Sequence, residues 1–401
     1  MKKNIILLSC LAAALTFVSC KSESDISTGV IASSAADTVD KVNKSVWQDT
    51  SGEDIQTHDG IIYWQGKYYW YGLDYSQNLI NGGSGGFKAV KCYESEDLVN
   101  WTFKNNVLTA NSSVALNEAD VNNVRVIYNK NTNKFVMWMG YNTTYMYGTS
   151  LSYWTLRSSH NKLYLNANLC ATADTPYEAF EVANSYFTVN GGAAITSLFV
   201  DDDGSAYCLD WANYNNSWRL YINKLTDDYL GVSSNVAMLF PETYVGRSAI
   251  VKHNGYYYLI GATFYGDLDN GANSMSSADG WLDYHFTYYD FYRGTSVSTP
   301  KAYTGVMYCS AQSLDGPWSG LSTFGPDYED YEFSDCFKIQ GSEGISYMLT
   351  FNQWDSSDLS QSAYVWQPLF FNKVTQTFDE PYFDDYDTIT IDAAKGTVSA
   401  E

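Results

Sequence analysis

Apolar and polar residues alternate in short paired runs along most of the chain. A first run rich in aliphatic residues is followed by a polar turn with glycine or asparagine, and then by a second alternating run. The second runs are GKYYWYG (66–72), NKFVMWMG (133–140), GSAYCLDW (204–211), GYYYLIG (255–261) and GISYMLT (344–350). A period of two around a tight turn is typical of a β-hairpin, so the pattern predicts five hairpins.

Each hairpin is followed by a further signal, a polar corner that leads into an outer strand. These corners are SEDLVNW, TPYEAF, LTDDYL, SLDGPW and NKVTQTF. A unit of several strands repeated five times predicts an all-β, five-bladed β-propeller over residues 46–378. A β-sandwich is the alternative, but it would not repeat this unit. Residues 379–401 form a tail, for which a closing strand is one option.

The acidic run Asp201–Gly204 lies between the two strands of the third hairpin. Aspartate and glycine are the residues expected in such a turn. A calcium-binding EF-hand loop would need a D-x-D-x-D-G spacing and a later glutamate, and both are missing. The run is therefore predicted to be a turn and not a metal site.

The N-terminus has the pattern of a processing signal. MKK precedes an apolar run that is too short for a membrane span, and Ser19-Cys20 follows it. Residues 1–20 are similar to a lipoprotein signal in which Cys20 is lipidated, and residues 21–45 form a polar tether. The expected location is the bacterial outer membrane, with SESD indicating the cell surface. An ordinary secretory signal with an incidental cysteine is the alternative.

Charge and cysteine content narrow the range of ligands. The net charge of −22 argues against nucleic acid and favours a neutral ligand. Beyond Cys10 and Cys20, the cysteines show neither a CxxC pair nor zinc spacing, so buried free thiols are expected. No ligand set for a metal is apparent, and no cofactor is predicted. We expect a monomer.

Several phrases resemble glycoside hydrolase family 43, in particular its exo-β-1,3-galactanase branch. They include VWQDTSGEDIQTHDGIIYWQGKYYWYG, VIYNKNTNKFVMWM, SLFVDDDGSAY, IVKHNGYYYLIG and WDSSDLSQSAYVWQPLFF, and the resemblance covers residues 46 to about 372. It implies a propeller enzyme that inverts configuration with a carboxylic acid, a base and a third carboxylate that tunes the acid. Parts of the family also hold a channel calcium ion, for which this chain has no dedicated ligands.

The resemblance also implies that several expected polar residues have been replaced. Ile195 stands where the family has an aspartate, and Gly246 stands where it has the glutamate of an EAP phrase. In blade two, Asn122 replaces a substrate-holding glutamate and Arg125 replaces a lysine. Phe333 occupies the position of a glutamine in blade five. Loss of this set predicts lost or impaired hydrolysis.

Blade one offers the remaining chemistry. Asp59 lies within one residue of the family's base position and is the candidate base, although a turn cap beside Gly60 is equally expected. His58 matches the branch and could bind sugar hydroxyls or brace the central strands. Glu242 is the candidate acid, and Glu118, Asp120 and Asp335 are further acids near the mouth.

The sequence thus favours a lipid-anchored protein that binds neutral plant-type or host glycans, such as galactan or arabinogalactan. The expected binding residues are His58, Asn122, Arg125, Arg247, Trp354 and Trp366. An active inverting exo-glycosidase with a rearranged acid and base is the first alternative, and a propeller that binds proteins is the second. The long segment 261–300 is expected to form a lid or an added aromatic surface.

Overall fold

The protein is built from β-strands paired in antiparallel sheets. A computed structural model describes residues 39–76, 87–116, 119–143, 157–159, 162–164, 167–187, 195–214, 217–239, 244–245, 247–265, 288–290, 295–297, 303–326, 331–355, 357–376 and 378–401. Two short 3₁₀ helices lie at Val114–Leu116 and Leu359–Gln361. Within the described residues, none of the helices has the length and apolar character needed to span a membrane.

The first strand, β1 (Val39–Val42), joins the last sheet, and the other strands form blades in chain order. Blade one contains β2 (Ile61–Trp64), β3 (Lys67–Leu73), β4 (Ala89–Ser95) and β5 (Thr102–Thr109). Blade two contains β6 (Ala119–Asn129), β7 (Lys134–Thr143), β10 (Ala167–Ala173) and β11 (Glu181–Phe187), with the hairpin β8 (Arg157–Ser159) and β9 (Lys162–Tyr164) between its second and third strands.

The next three blades follow the same plan. Blade three contains β12 (Ile195–Val200), β13 (Ala206–Tyr214), β14 (Ser217–Leu225) and β15 (Val232–Leu239). Blade four contains β16 (Tyr244–Val245), β17 (Ser248–His253), β18 (Tyr256–Tyr265), β21 (Tyr303–Ala311) and β22 (Ser322–Thr323), with the inserted hairpin β19 (Tyr288–Asp290) and β20 (Thr295–Val297). Blade five contains β23 (Glu332–Gln340), β24 (Ile345–Gln353), β25 (Ala363–Lys373) and β26 (Asp379–Tyr382).

The propeller has six blades, so the predicted count of five is wrong. The sixth is a three-stranded sheet in the order β1, β27 (Thr388–Asp392) and β28 (Thr397–Ala400). Strand β1 lies inside the predicted tether, and the predicted tail supplies the other two strands as well as β26. Strands β1 and β27 are more than 340 residues apart in the sequence, yet Val39 lies opposite Ile391. A pairing between such distant segments leaves no turn motif from which it could be predicted.

The sixth blade is held by an apolar core that it shares with blades one and five. Ile389 and Ile391 pack in one buried cluster with Trp47, Trp70 and Trp366. The loop before β28 also approaches the β23–β24 turn closely, since Ser342 N donates to Ala394 O at 2.9 Å. Burial of several tryptophans at this seam removes a large apolar area from water and closes the ring of sheets.

The acidic run in blade three is a turn, as predicted. Asp201 N donates to Ser205 O and Gly204 N donates to Asp201 O, both at 2.9 Å, and Gly204 has a φ of 82°, which glycine adopts without strain. Asp201 also reaches the next blade, because its carboxylate accepts from Lys252 Nζ and from Tyr257 Oη, both at 2.6 Å. The run therefore forms a hairpin turn that ties blade three to blade four.

The innermost strands contact one another in sequence around the propeller. Strand β6 contacts β2 and β12, and β17 contacts β12 and β23. The five cysteines in the described part of the chain are free thiols, as predicted, and all but Cys336 are buried. Most of the segment 261–300 lies outside the described residues, as do Cys20 and the signal sequence.

Candidate functional site

The ends of the innermost strands bring together side chains from blades one, two, four and five. The residues just before β2 lie alongside β6 of blade two, because Gly60 N donates to Val124 O at 3.2 Å. This pairing carries His58 and Asp59 to the centre, where the start of β23 meets them: Ser334 Oγ donates to His58 O at 2.6 Å. The centre of the propeller is therefore filled by polar groups that are far apart in the sequence.

Asp59 lies between two guanidinium groups. Its Oδ1 accepts from Arg125 Nη1 at 3.3 Å and from Arg247 Nη1 at 3.0 Å. The side chains of Asp59 and Arg125 are only 2% and 3% exposed, and that of Arg247 is 13% exposed. Charges withdrawn from water to this extent need partners of opposite charge, and Asp59 serves as a partner for both arginines.

Arg125 and Arg247 connect Asp59 to two further carboxyl groups. Arg125 Nη2 donates to Ser334 O at 2.6 Å, and its Nε lies 3.4 Å from Asp335 Oδ2, within ion-pair range but without an aligned hydrogen bond. Arg247 Nε lies 3.6 Å from Glu332 Oε1. Burial opposes the charge of Arg247, but Glu332 and Asp59 outweigh it and raise the pKa of the guanidinium.

Asp335 has the properties of a protonatable acid. Burial raises its pKa above the ordinary value for aspartate, and the charge of Arg125 opposes that shift only in part. Its other oxygen, Oδ1, accepts from the backbone N of Cys336 at 2.9 Å. Asp335 and Asp59 contact opposite ends of the same guanidinium, so the site combines a guanidinium-bound carboxylate with a carboxyl group of raised pKa.

His58 is buried and braced on every side. Asn352 Oδ1 accepts from Nδ1 at 3.0 Å, which places the ring proton on that nitrogen, and Tyr364 stacks on the ring at 4.3 Å between centroids. Burial lowers the pKa of His58 to about 4, so the ring is neutral at physiological pH. It holds the entry to β2 against blade five and cannot act as a general acid at neutral pH.

An aromatic rim borders this polar centre. Trp354, half-buried at the end of β24, lies 4.8 Å from His58 and 5.3 Å from Tyr75 between ring centroids. Its Nε1 donates to Glu332 Oε2 at 2.6 Å, which fixes the indole plane. An open pocket of about 370 Å³ adjoins it, lined by Gln353, Trp354, Asp355, Gln361 and Ala363. An indole face beside amide and carboxylate groups suits a sugar ring with its hydroxyls.

Two of the residues inferred to replace polar residues of the family do not face the centre. Ile195 is fully buried in an apolar cluster with Trp138 and Cys208, and Phe333 packs in another cluster with Phe351. Backbone irregularities lie beside both, between Ile195 and Ser197 and between Phe333 and Asp335. Neither side chain plugs the mouth, because each packs into a core between blades.

The other predicted residues divide into four groups. His58, Asp59, Arg125, Arg247 and Trp354 come together at the centre and its rim. Trp366 is 1% exposed and packs in the core of blade five, so it is not a binding residue. Asn122 lies in β6 before Arg125, and its Oδ1 has no partner among the described residues. Glu242, Gly246 and Glu118 lie outside the described residues, as does the side chain of Asp120.

Glu332, Ser334, Asn352 and Tyr75 complete the site and were missed in the sequence. A signal for two of them exists in EFSDCF (332–337), because successive side chains of a strand face opposite sides. Burial of Phe333 in a core therefore directs Glu332 and Ser334 toward the centre. Tyr75 and Asn352 carry no comparable signal. No cluster of metal-binding side chains is present within the described parts of the chain.

The fold and the site define a β-propeller whose centre carries a charged cluster with an aromatic rim, an arrangement suited to sugars. The chain belongs to the glycosyl hydrolases family 43, whose model matches residues 56–280. No curated protein sequence matches it.

Solved structures of exo-β-1,3-galactanases are similar to the whole propeller. The enzyme 1,3Gal43A from Clostridium thermocellum is 28% identical, with a TM-score of 0.66 over 90% of this chain and 68% of that one. The enzyme Pc1,3Gal43A from Phanerochaete chrysosporium, in complex with galactose, is 26% identical, with a TM-score of 0.65 over 90% of this chain and 71% of that one. The family and these neighbours support a function that involves glycans.

Proposed function

We propose that this protein binds a neutral, galactose-containing glycan at the mouth of the propeller and that its hydrolytic activity is lost or impaired. The observation that carries the proposal is the position of Asp59 between Arg125 and Arg247, which share its Oδ1. A base must reach a water molecule, and the carboxylate of the candidate base is instead bound by two cations.

The acid side of the reaction is also weakened. By its resemblance to the family, Gly246 stands at the position of the general acid and has no side chain to donate a proton. Its neighbour Arg247 cannot replace it, because a guanidinium does not release its proton near neutral pH. An inverting enzyme needs two carboxyl groups about 6.5–9.5 Å apart on opposite sides of the bond. The positions inherited from the family do not supply this pair.

Binding requires less than catalysis, and the site retains what binding needs. Trp354 offers an indole face whose orientation is fixed by Glu332, next to Gln353 and Gln361. Galactanases from two organisms are among the similar structures, one of them with galactose bound, and this supports a galactose-containing ligand.

Replacement of Trp354 by alanine is expected to weaken the binding of β-1,3-galactooligosaccharides about tenfold, because a sugar ring would lose its stacking surface. Isothermal titration calorimetry measures the affinity. Tyr382→Ala, which removes an aromatic ring that is 39% exposed on the outer strand β26, is the matched control and should bind like the wild type. Equal affinity of all three proteins, or no binding by any, would refute the proposal.

An active inverting exo-glycosidase is the second candidate function, and the raised pKa of Asp335 favours it. A buried carboxyl group that holds its proton could act as the acid while Asp59 acts as the base. The same preparations, incubated with β-1,3-galactan, distinguish the two functions. Release of galactose by the wild type that is abolished in Asp335→Asn would establish this second function in place of the first.

We further propose that Cys20 is lipidated and that the lipid anchors the protein in the bacterial outer membrane, as the sequence before it predicts. Cells expressing the full chain and fed labelled palmitate should yield a labelled protein in the membrane fraction. In Cys20→Ser the label should be lost and the protein should move to the soluble fraction. Membrane association that persists without Cys20 would exclude this anchor.

A further inference from the structure

A second pocket lies at the other end of blade one from the central site. It has a volume of about 340 Å³, within the range of small-molecule sites, and Trp64, Lys67, Lys104 and Tyr177 are among its lining residues. Asp59 precedes β2 and Trp64 ends it, and a strand rises roughly 3.3 Å per residue, so the two sites are separated by the length of the blade. One ligand ring cannot occupy both.

Aromatic rings form the walls of this pocket. Tyr177 is 40% exposed, and its ring is inclined by 27° to that of Tyr69, with 6.2 Å between centroids. On the other side, Trp64 is half-buried and contacts Phe135 edge to face at 5.2 Å. Two aromatic side chains from different blades thus border one depression, whereas exposed aromatic residues on a protein surface usually stand alone.

The loop that carries Tyr177 is fixed to blade one. Asn105 Nδ2 donates to Tyr177 O at 3.1 Å, Tyr71 Oη donates to Pro176 O at 2.7 Å, and Phe180 N donates to Val107 O at 2.7 Å. These bonds hold the tyrosine at the surface before any ligand arrives. A rigid ring loses little conformational entropy on binding, which favours its use as a stacking platform.

The charges around the pocket compensate one another: Lys67, Lys104 and Glu94 line it, and Glu96 pairs with Lys67 from outside the lining. Glu94 lies 2.8 Å from Lys67 Nζ and 3.6 Å from Lys104 Nζ, and Glu96 lies 3.4 Å from Lys67 Nζ. Two ammonium groups therefore face two carboxylates. This balance of positive and negative charges favours an uncharged ligand. The ammonium groups can donate hydrogen bonds to its hydroxyl groups, and the carboxylates can accept hydrogen bonds from them.

We propose that this pocket is a second glycan-binding site, which takes neutral hexopyranose units of a polysaccharide by stacking on Tyr177. It acts independently of the mouth and does not rest on the function proposed there. Two sites at opposite ends of a blade allow one protein to hold two segments of a polymer, and this raises the apparent affinity without any new contact at either site.

Affinity electrophoresis of the intact protein in gels that contain arabinogalactan, β-1,3-galactan or polygalacturonate tests this proposal. Tyr177→Ala should reduce the retardation by the neutral polymers at least threefold, and Lys104→Gln should reduce it less. Tyr63→Ala is the matched control, since Tyr63 is 51% exposed on the same blade, packs against Tyr68 and does not line the pocket. Circular dichroism verifies that each variant is folded.

Combination with Trp354→Ala separates the two sites. Two independent sites predict that each single variant is retarded less than the wild type and that the double variant migrates as it does without polymer. The second site is refuted if Tyr177→Ala behaves like Tyr63→Ala, if polygalacturonate alone retards the wild type, or if none of the polymers does. If Trp354→Ala by itself abolishes all retardation, the pocket has no site and the function proposed for the mouth stands.

Discussion

Replacement of Arg125 by methionine is expected to lower the free energy of unfolding by about 3–5 kcal/mol. Arg125 is 3% exposed and lies between Asp59 and Asp335, so its removal leaves the buried Asp335 without its paired cation and Asp59 with Arg247 alone. It also leaves Ser334 O without the donor that reaches it at 2.6 Å. A buried carboxyl group and a buried carbonyl oxygen without partners destabilise the fold by more than the lost attraction to Arg125 would by itself.

Urea denaturation at pH 7.5 measures this effect. Lys134→Met is the control, because its ion pair with Asp174 joins side chains that are 42% and 70% exposed, and an exposed pair contributes little to stability. Asp335→Asn in the Arg125→Met background should recover part of the loss, since it removes one of the unpaired groups. A cost for Arg125→Met as small as that for Lys134→Met would show that the central cluster does not stabilise the fold.

The second large effect is the dependence of stability on pH through His58. Burial lowers the pKa of His58 to about 4, against about 6.5 in an unfolded chain. Between these values the unfolded state binds a proton that the folded state does not, so stability falls as the pH falls. The stabilising contribution is complete above pH 6.5, and roughly 3 kcal/mol of it is lost by pH 4.

Comparison of the wild type with His58→Gln isolates this contribution. At pH 8 the histidine is neutral in both states, so the difference between the proteins there reports packing alone. Between pH 6.5 and pH 4 the wild type should lose roughly 3 kcal/mol more than the variant. Asp335 acts in the opposite sense, because its raised pKa favours the folded state at low pH, but it is present in both proteins. If the free energies of unfolding of the wild type and of His58→Gln changed with pH in parallel, His58 would not be a buried, neutral side chain.

The hairpins of the propeller could be predicted from the sequence because their determinants are local. Alternation in GKYYWYG directs Tyr69 and Tyr71 to one core and Tyr68 and Trp70 to another, and the turn Gln65–Gly66 takes positive φ at both positions. The same holds at Asp201–Gly204. Side-chain period and turn chemistry act over a few residues, so their result can be read from a few residues.

The sixth blade and the geometry of the site could not be obtained in this way. Strand β1 has four residues, and its partner β27 lies near the other end of the chain. A strand this short forms because it packs against the apolar core between the blades, and its own alternation of residues is too brief to predict it. In the site, His58, Asp59, Arg125, Arg247 and Trp354 were identified as candidates, but the sharing of Asp59 by two arginines appears only when three blades meet.

Ile195 and Phe333 show most clearly what the sequence could not predict, namely the direction in which a side chain points. The resemblance to the family identified both as positions where the family has polar groups, but a strand shifted by one residue turns its side chains to the opposite face. Irregularities beside both residues cause such shifts. The sequence by itself determined the hairpins and the polar residues available to the centre. Only the tertiary structure decided which of them face it, because that choice depends on bulges and on packing between blades.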